Sequence, residues 1–257
     1  MTITATRTRG VRVFLLLTFA FSWAGMIGAA VLGYSLVSPW VQLPFAFTPA
    51  IAALVVRLRG EGFADAGLAL RLRQAWRHYL LAWLAPFAMV AVAAGVAVAF
   101  GLGLAPPDWS SVVVLLVAVP LLTPVYWGEE FGWTSYLRLR LFPGRPTAAT
   151  LATGLIWAVW HYPLAFTDYI RFDNVLIGLS VWTVSFLCQE VVLSWLRLAS
   201  GTVWTASLAH AGNNMVLSLL VGALLPGVEA TVVTVVLSVP VAVVAGWLLV
   251  TGRTGGR

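Results

Sequence analysis

Residues 13–34, VFLLLTFAFSWAGMIGAAVLGY, form an apolar run of 22 residues, and runs of this kind decide the fold. An α-helix rises about 1.5 Å per residue, so this run is long enough to cross a bilayer. It follows Arg7, Arg9 and Arg12, as the core of a signal peptide would. Because such cores span only about 7–15 residues, we expect a retained first transmembrane helix.

The rest of the chain repeats this pattern. Of its 257 residues, 61% are hydrophobic and 9% are charged, whereas about a quarter of a soluble domain is charged. We therefore predict an all-α polytopic membrane bundle, a single integral membrane domain over residues 1–257 with a motif-bearing core at about 110–225. About eight helices are expected, with a proline kink in the fourth. The predicted spans are roughly 12–34, 41–57, 78–102, 110–137, 147–167, 174–197, 202–225 and 230–251.

Arginine positions predict the topology, because basic residues collect on the cytoplasmic side. All 15 basic residues are arginines, a coding bias that suggests a GC-rich bacterial genome. With both termini cytoplasmic, every arginine except Arg171 lies inside, while Asp108, Asp168, Asp173 and Glu229 lie in outer loops. Arginines scattered between apolar spans argue against nucleic acid as a partner. We expect a multi-pass protein of the inner or plasma membrane, surrounded by lipid.

Ionisable residues within spans are costly and mark functional sites. At about 1.5 Å per residue from the cytoplasmic ends, Glu129 lies roughly 14 Å deep, His161 roughly 21 Å and His210 roughly 12 Å. These three side chains are therefore expected to meet in one cavity in the cytoplasmic half. The remaining polar residues at membrane depth are Glu130, Glu190, Asn213 and Asn214.

Helical spacing separates these polar residues by role. Glu129 and Glu130 point about 100° apart, so one is expected to face the cavity while neighbours hold the other. His210 and Asn214 share one helix face, since they are four residues apart. Asn213 and Glu190 are expected to be structural.

This set of side chains predicts a hydrolase that uses activated water. A carboxylate can take a proton from a water that an imidazole orients, and a His–Asn pair can donate hydrogen bonds to an oxyanion. Ser135 and Cys188 are the weak candidates for a nucleophile. No cofactor is expected, although a zinc ion on two histidines and a glutamate is an alternative. Against zinc, the sequence has no H-E-x-x-H motif.

Three motifs in order resemble the CPBP family of CAAX proteases and bacteriocin-processing enzymes, also called Abi proteins. They are EEFGWTSYL at 129–137, WAVWHYPL at 157–164 and HAGNN at 210–214. The resemblance implies an eight-helix intramembrane glutamic endopeptidase that opens to the cytosol. It implies that Glu129 is the base and His161 its partner. By the same resemblance His210 and Asn214 form the oxyanion site, Glu130 is a supporting carboxylate, and the substrate is a membrane-associated peptide or lipidated protein.

One departure from the family pattern affects Glu130. The first motif is commonly E-E-x-x-x-R, and Thr134 stands here at the arginine position. We expect Thr134 to hydrogen-bond Glu130 and Arg138 to be its candidate cation. The alternatives to an enzyme are a binding or immunity protein, or a subunit of a membrane complex, using the same cavity. A proton-coupled transporter would show inverted repeats, which we do not find in the sequence.

Overall fold

The computed structural model describes residues 3–255, with side chains from Thr8 onward. Arg257 and the side chain of Arg7, both used in the topology prediction, lie outside this description. All regular elements of the described chain are helices, which confirms the predicted fold class. Its α-helices are α1 Ile3–Val31, α2 Pro39–Ala46, α3 Thr48–Val56, α4 Leu72–Ala99, α5 Trp109–Glu130, α6 Arg138–Arg140, α7 Pro146–His161, α8 Val175–Ser200, α9 Val203–Gly212, α10 Leu219–Leu224 and α11 Ala230–Val250.

Shorter helical turns join several of these helices. Three are π-helical, a wide turn that often marks functional sites, at Arg57–Glu61, Trp133–Leu137 and Asn213–Ser218. Two are 3₁₀-helical, at Tyr162–Phe166 and Arg253–Gly255. One π-helical turn is separated from α5 by two residues and another directly follows α9, the helices that carry the adjacent glutamates and His210.

Seven helical stretches in the described chain are long and apolar enough to cross a membrane. They match seven of the eight predicted spans, and two of them are composite, Pro39–Glu61 and Val203–Leu224. The predicted span at 147–167 is different, because α7 has only 16 residues and continues into the 3₁₀ turn that contains Pro163. Together α7 and this turn extend roughly 34 Å, at about 1.5 and 2.0 Å per residue.

Helix α5 passes through both of its prolines without ending. Pro120 has no N–H, so the carbonyl of Leu116 loses its partner within the helix. The indole N–H of Trp83 on α4 donates to that carbonyl oxygen at 3.0 Å. A neighbouring helix thus satisfies the backbone, as membrane interiors require, and α5 stays continuous up to Glu130.

Helix contacts bring the polar spans together. Helix α5 packs on α9, α7 packs on α8, and α8 also packs on α9 and α11. Close approach depends on small residues: a Cβ on Gly132 would lie 2.4 Å from the Cβ of Pro49, and one on Gly154 would lie 3.0 Å from that of Glu190. The helices with Glu129, His161 and His210 are therefore direct or next neighbours.

Two acids of the predicted outer loops cap helices at one end of the bundle. Asp108 accepts from the backbone N–H of Ser110 at 3.0 Å, and Glu229 accepts from that of Thr231 at 2.8 Å. Hydrogen bonds from Ser110 and Ser111 lower the pKa of Asp108 to about 2. Carboxylates also favour helix N-termini electrostatically, which explains why these acids lie here. The orientation of the termini and the single domain over 1–257 stay predictions.

Candidate functional site

The adjacent glutamates at the end of α5 face different helices, as their spacing predicted. Glu129 Oε2 accepts from the indole N–H of Trp157 on α7 at 2.9 Å. Glu130 Oε1 accepts from His210 Nδ1 on α9 at 2.9 Å. Both carboxyl groups are buried, and Glu130 is completely so. Each glutamate therefore has its own partner.

Trp157 connects Glu129 to His161. While its indole donates to Glu129, its backbone carbonyl lies 3.0 Å from His161 Nδ1. A carbonyl oxygen only accepts, so Nδ1 carries the hydrogen of this bond. In the neutral imidazole, Nε2 is then left as an acceptor. The expected pair of Glu129 and His161 is thus joined through one residue rather than by a direct hydrogen bond.

Glu130 orients the third polar helix. With His210 Nδ1 donating to Glu130, the other ring nitrogen, Nε2, lies 3.4 Å from Asn214 Nδ2. This confirms that His210 and Asn214 share a face. A neutral His210 accepts at Nε2, so the Asn214 amide donates one N–H to it, and the same amide also hydrogen-bonds the Tyr126 hydroxyl.

Aromatic rings enclose the two histidines. His161 stacks on Phe186 with ring centroids 4.3 Å apart and meets Trp160 edge-on at 4.6 Å. His210 lies 5.0 Å from the ring of Tyr126 and 5.1 Å from that of Trp157. Such packing fixes the rings and keeps the surroundings of the buried polar groups apolar.

A cavity of about 470 Å³ borders the site. His161, His210 and Asn214 line its inner part, and Gln189 and Ser185 of α8 line one wall. Farther out, it is bounded by Tyr169 and by residues 225–228. The two histidines therefore border a space that could hold part of a substrate. Neither Glu129 nor Glu130 is among the described residues that line it, which differs from the expectation that one glutamate would face the cavity.

Glu190 and Asn213 lie beside the site. Glu190 is fully buried, and its Oε1 accepts from Ser194 of the same helix at 2.5 Å. Asn213 Nδ2 donates to Gln189 at 3.4 Å across to α8. The contact of Asn213 fits its expected structural role. For Glu190 the sequence suggested an inter-helix or interfacial partner, and the observed hydrogen bond is to its own helix.

The predicted neutralisation of Glu130 differs from the contacts observed. Thr134 Oγ1 donates to the backbone carbonyl of Glu130 at 2.9 Å, not to its carboxylate. Arg138 donates instead to Thr150 and to the carbonyl of Thr254, at 3.2 and 2.6 Å. The π-helical turn at 133–137 explains the second difference, because counting by α-helical turns misplaces residues beyond it.

The weak nucleophile candidates are engaged elsewhere. Ser135 Oγ accepts from Arg197 Nε at 2.6 Å, and Cys188 belongs to the hydrophobic contacts between α8 and α11. Within residues 3–255, the His, Cys, Asp and Glu side chains form no group of three arranged to hold a metal ion.

Trp157 and Tyr126 are site residues to which the sequence reasoning gave no specific role. Trp157 precedes His161 by four residues, so the two share a helix face, and this spacing was a usable signal. Tyr126 precedes Glu130 by the same interval and lies against His210. Tryptophan and tyrosine in membrane helices are so often packing or interface residues that composition alone conceals such roles.

Residues 109–216 match the family model described as type II CAAX prenyl endopeptidase Rce1-like. The matched region runs from the start of α5 into the π-helical turn after α9 and includes Glu129, His161, His210 and Asn214. A search among curated proteins found no match. The match covers less than half of the chain and agrees with the resemblance to CAAX proteases drawn from the sequence motifs.

Proposed function

We propose that this multi-pass membrane protein of the CAAX protease family is a glutamic intramembrane endopeptidase. The observation that carries the proposal is the double contact of Trp157, which fixes Glu129 relative to His161, a residue of the cavity wall. A carboxylate and an imidazole held by one rigid residue are pre-organised to position a water molecule.

In the proposed reaction, the water oxygen adds to the carbonyl carbon of the scissile peptide bond. Glu129 takes a proton from this water as general base, while His161 accepts a hydrogen bond from it at Nε2. Collapse of the tetrahedral intermediate breaks the C–N bond, and the amine leaves with the proton that Glu129 held. The products are a carboxylate and an amine.

Asn214 is the direct donor to the developing oxyanion. Its amide has one N–H beside His210 Nε2 and also hydrogen-bonds the Tyr126 hydroxyl, and in the proposed complex the bond to Tyr126 is exchanged for one to the substrate oxygen. Glu130 positions His210, and His210 positions Asn214. Removing one oxyanion donor in other enzymes costs about 2.7–4 kcal/mol, so Asn214 is expected to matter strongly.

The proposed substrate is a membrane-associated peptide or lipidated protein. The family match names prenyl endopeptidases, and prenylation of this chain's own substrate is a proposal that rests on that match. The proposed location is the cell membrane of a bacterium. The resemblance implies a site open to the cytoplasm, which stays a prediction.

The test is cleavage by the purified chain in proteoliposomes. The substrates are a prenylated peptide with three residues after its modified cysteine, the same peptide without the lipid, and an unrelated transmembrane peptide. Mass spectrometry identifies the products. We expect Glu129→Ala and His161→Ala each to abolish cleavage while Cys188→Ala retains it.

Two outcomes would contradict the mechanism. Full activity in either the Glu129 or the His161 variant removes activated water as the explanation. Loss of activity with a chelator and recovery with Zn²⁺ would favour the metal alternative. A fully inactive wild-type chain that still binds the peptide, with binding unchanged by Glu129→Gln, would favour the non-catalytic alternative.

A further inference from the structure

The loop at residues 62–71, here called the arginine-side loop, covers the end of the bundle where most arginines lie. Asp65 holds it in place. Its carboxylate accepts from Arg57 at 2.7 Å and from Arg140 at 2.9 Å, and Arg197 donates to its backbone carbonyl at 2.6 Å. One loop residue is therefore bound by arginines from three separate parts of the chain.

The second half of this loop is fixed by backbone contacts. The carbonyl of Gly67 accepts from Val203 N at 2.9 Å, and that of Leu68 accepts from the Trp204 indole at 2.8 Å. The loop consequently joins the start of α9, the helix that carries His210. Bonds along its length make it a fixed cover rather than an open rim.

The arginines beneath the loop also form hydrogen bonds with the segment that follows Glu130. Arg57 and Arg197 both donate to Ser135, one to its carbonyl and one to its hydroxyl. Both guanidinium groups are buried, and so is Ser135. Buried arginine side chains therefore lie between the loop and the segment that follows the glutamates.

The cavity extends to the opposite end of the bundle. From His161 and His210 it runs past Ser218 to residues 225–228 and to Tyr169. These outer residues lie in the loops that precede α8 and α11, whereas the arginines lie near the other ends of those helices. None of the described residues that line it belongs to the arginine-side loop.

The loops at this opening are tied together and carry acids. The backbone N–H of Asp173 donates to Glu229 at 3.2 Å, which links the loop before α8 to the loop before α11. The loop before α8 also contains Asp168 and the basic residue Arg171. An excess of carboxylates favours a neutral or basic peptide segment over an anionic one.

We infer that the substrate reaches the site from the membrane face opposite the arginine-side loop, as an extended neutral or basic peptide segment. That the ligand is a substrate rests on the proposed function, whereas the route of access is argued from the cavity alone. If the arginine-rich end is cytoplasmic, this protease acts on segments at the outer face. That outcome differs from the cytoplasmic opening that the family resemblance implies.

Cysteine labelling tests the access route without a substrate. In a Cys188→Ala background, Ser218→Cys places a thiol in the cavity wall, and Leu219→Cys places one at the same depth outside the cavity lining. Both side chains are exposed in the protein alone. Arg59→Cys marks the arginine-rich end. A charged, membrane-impermeant thiol reagent is added to one side of sealed vesicles at a time.

We expect Ser218→Cys to react about tenfold or more faster from the side opposite to that which labels Arg59→Cys. Leu219→Cys is expected to resist the reagent from both sides, because lipid surrounds it. Reaction of Ser218→Cys from the Arg59 side, from both sides equally, or no faster than Leu219→Cys would overturn the inference. Failure of the glutamate variants to stop cleavage would instead overturn the proposed function and leave the access result standing.

Discussion

Replacing Trp157 by phenylalanine isolates the bond that fixes Glu129. The variant removes the indole N–H, which lies 2.9 Å from Glu129 Oε2, and keeps an aromatic ring against Phe186 and His210. The backbone carbonyl that binds His161 is unchanged by the substitution. Only one of the two links through Trp157 is therefore lost.

The expected magnitude follows from the type of bond. A hydrogen bond to a charged group contributes about 1.5–3 kcal/mol net. At about 1.4 kcal/mol per tenfold in rate, its loss lowers kcat/KM by roughly 10- to 150-fold if the bond orients the base in the transition state. Because the substrate does not touch the indole N–H, we expect the loss in kcat, with KM little changed.

Trp160→Phe is the matched control on the same helix. Trp160 is as deeply buried as Trp157, and within the described chain its indole nitrogen has no hydrogen-bond partner. The assay is peptide cleavage in proteoliposomes, with thermal unfolding in detergent as a check on folding. Equal losses in both variants, or full activity in Trp157→Phe, would refute the reasoning.

Three further predictions concern the supporting structure. Glu130→Gln is expected to lower kcat/KM in the cleavage assay by about tenfold or more, because a neutral amide forms a weaker hydrogen bond with His210 than a carboxylate does. Gly132→Ala is expected to lower the free energy of unfolding by about 1–3 kcal/mol in a chemical denaturation, because its new Cβ would clash with Pro49. Burial raises the pKa of Asp65, but its bond to Arg57 and the nearby arginine charges outweigh this and hold the pKa below 3.8. The carboxylate therefore stabilises the fold above that pH, and Asp65→Asn is expected to flatten the loss of thermal stability as pH falls below it.

Two of these predictions have a matched comparison variant. Glu190→Gln changes another fully buried carboxyl group and is expected to keep kcat/KM near wild type. Gly95→Ala adds a Cβ with nothing within 4 Å, so it is expected to be neutral or stabilising. Equal effects within either pair, or an unchanged acid dependence in Asp65→Asn, would show that the structural reasoning is wrong at that position.

The long apolar spans could be predicted because lipid imposes one simple requirement on length and polarity. The span at 147–167 was only partly predictable, since Pro163 ends the α-helix through a local effect. The separate partners of Glu129 and Glu130 followed from helical spacing, which fixes directions within one helix.

Relations between helices were harder to predict. Nothing in the spacing shows that Trp157 reaches Glu129 on another helix, or that Arg138 turns to Thr254. The pairing of Asp65 with three arginines depends on tertiary contacts between residues far apart in the chain. Charge counting predicted which end of the bundle these arginines occupy, but not that they close it.

The π-helical turns determine how a one-residue insertion or deletion would rotate the residues that follow. The turn at Trp133–Leu137 amounts to one extra residue within a helix, and one residue corresponds to about 100° of rotation. Deleting a single residue from 133–137 would restore α-helical phase and turn Tyr136 and Arg140 away from Glu61, which they now bind. The glutamates before the turn would keep their directions. The number of residues in this turn therefore sets the rotation of the following segment, with Arg140, relative to the glutamates of α5.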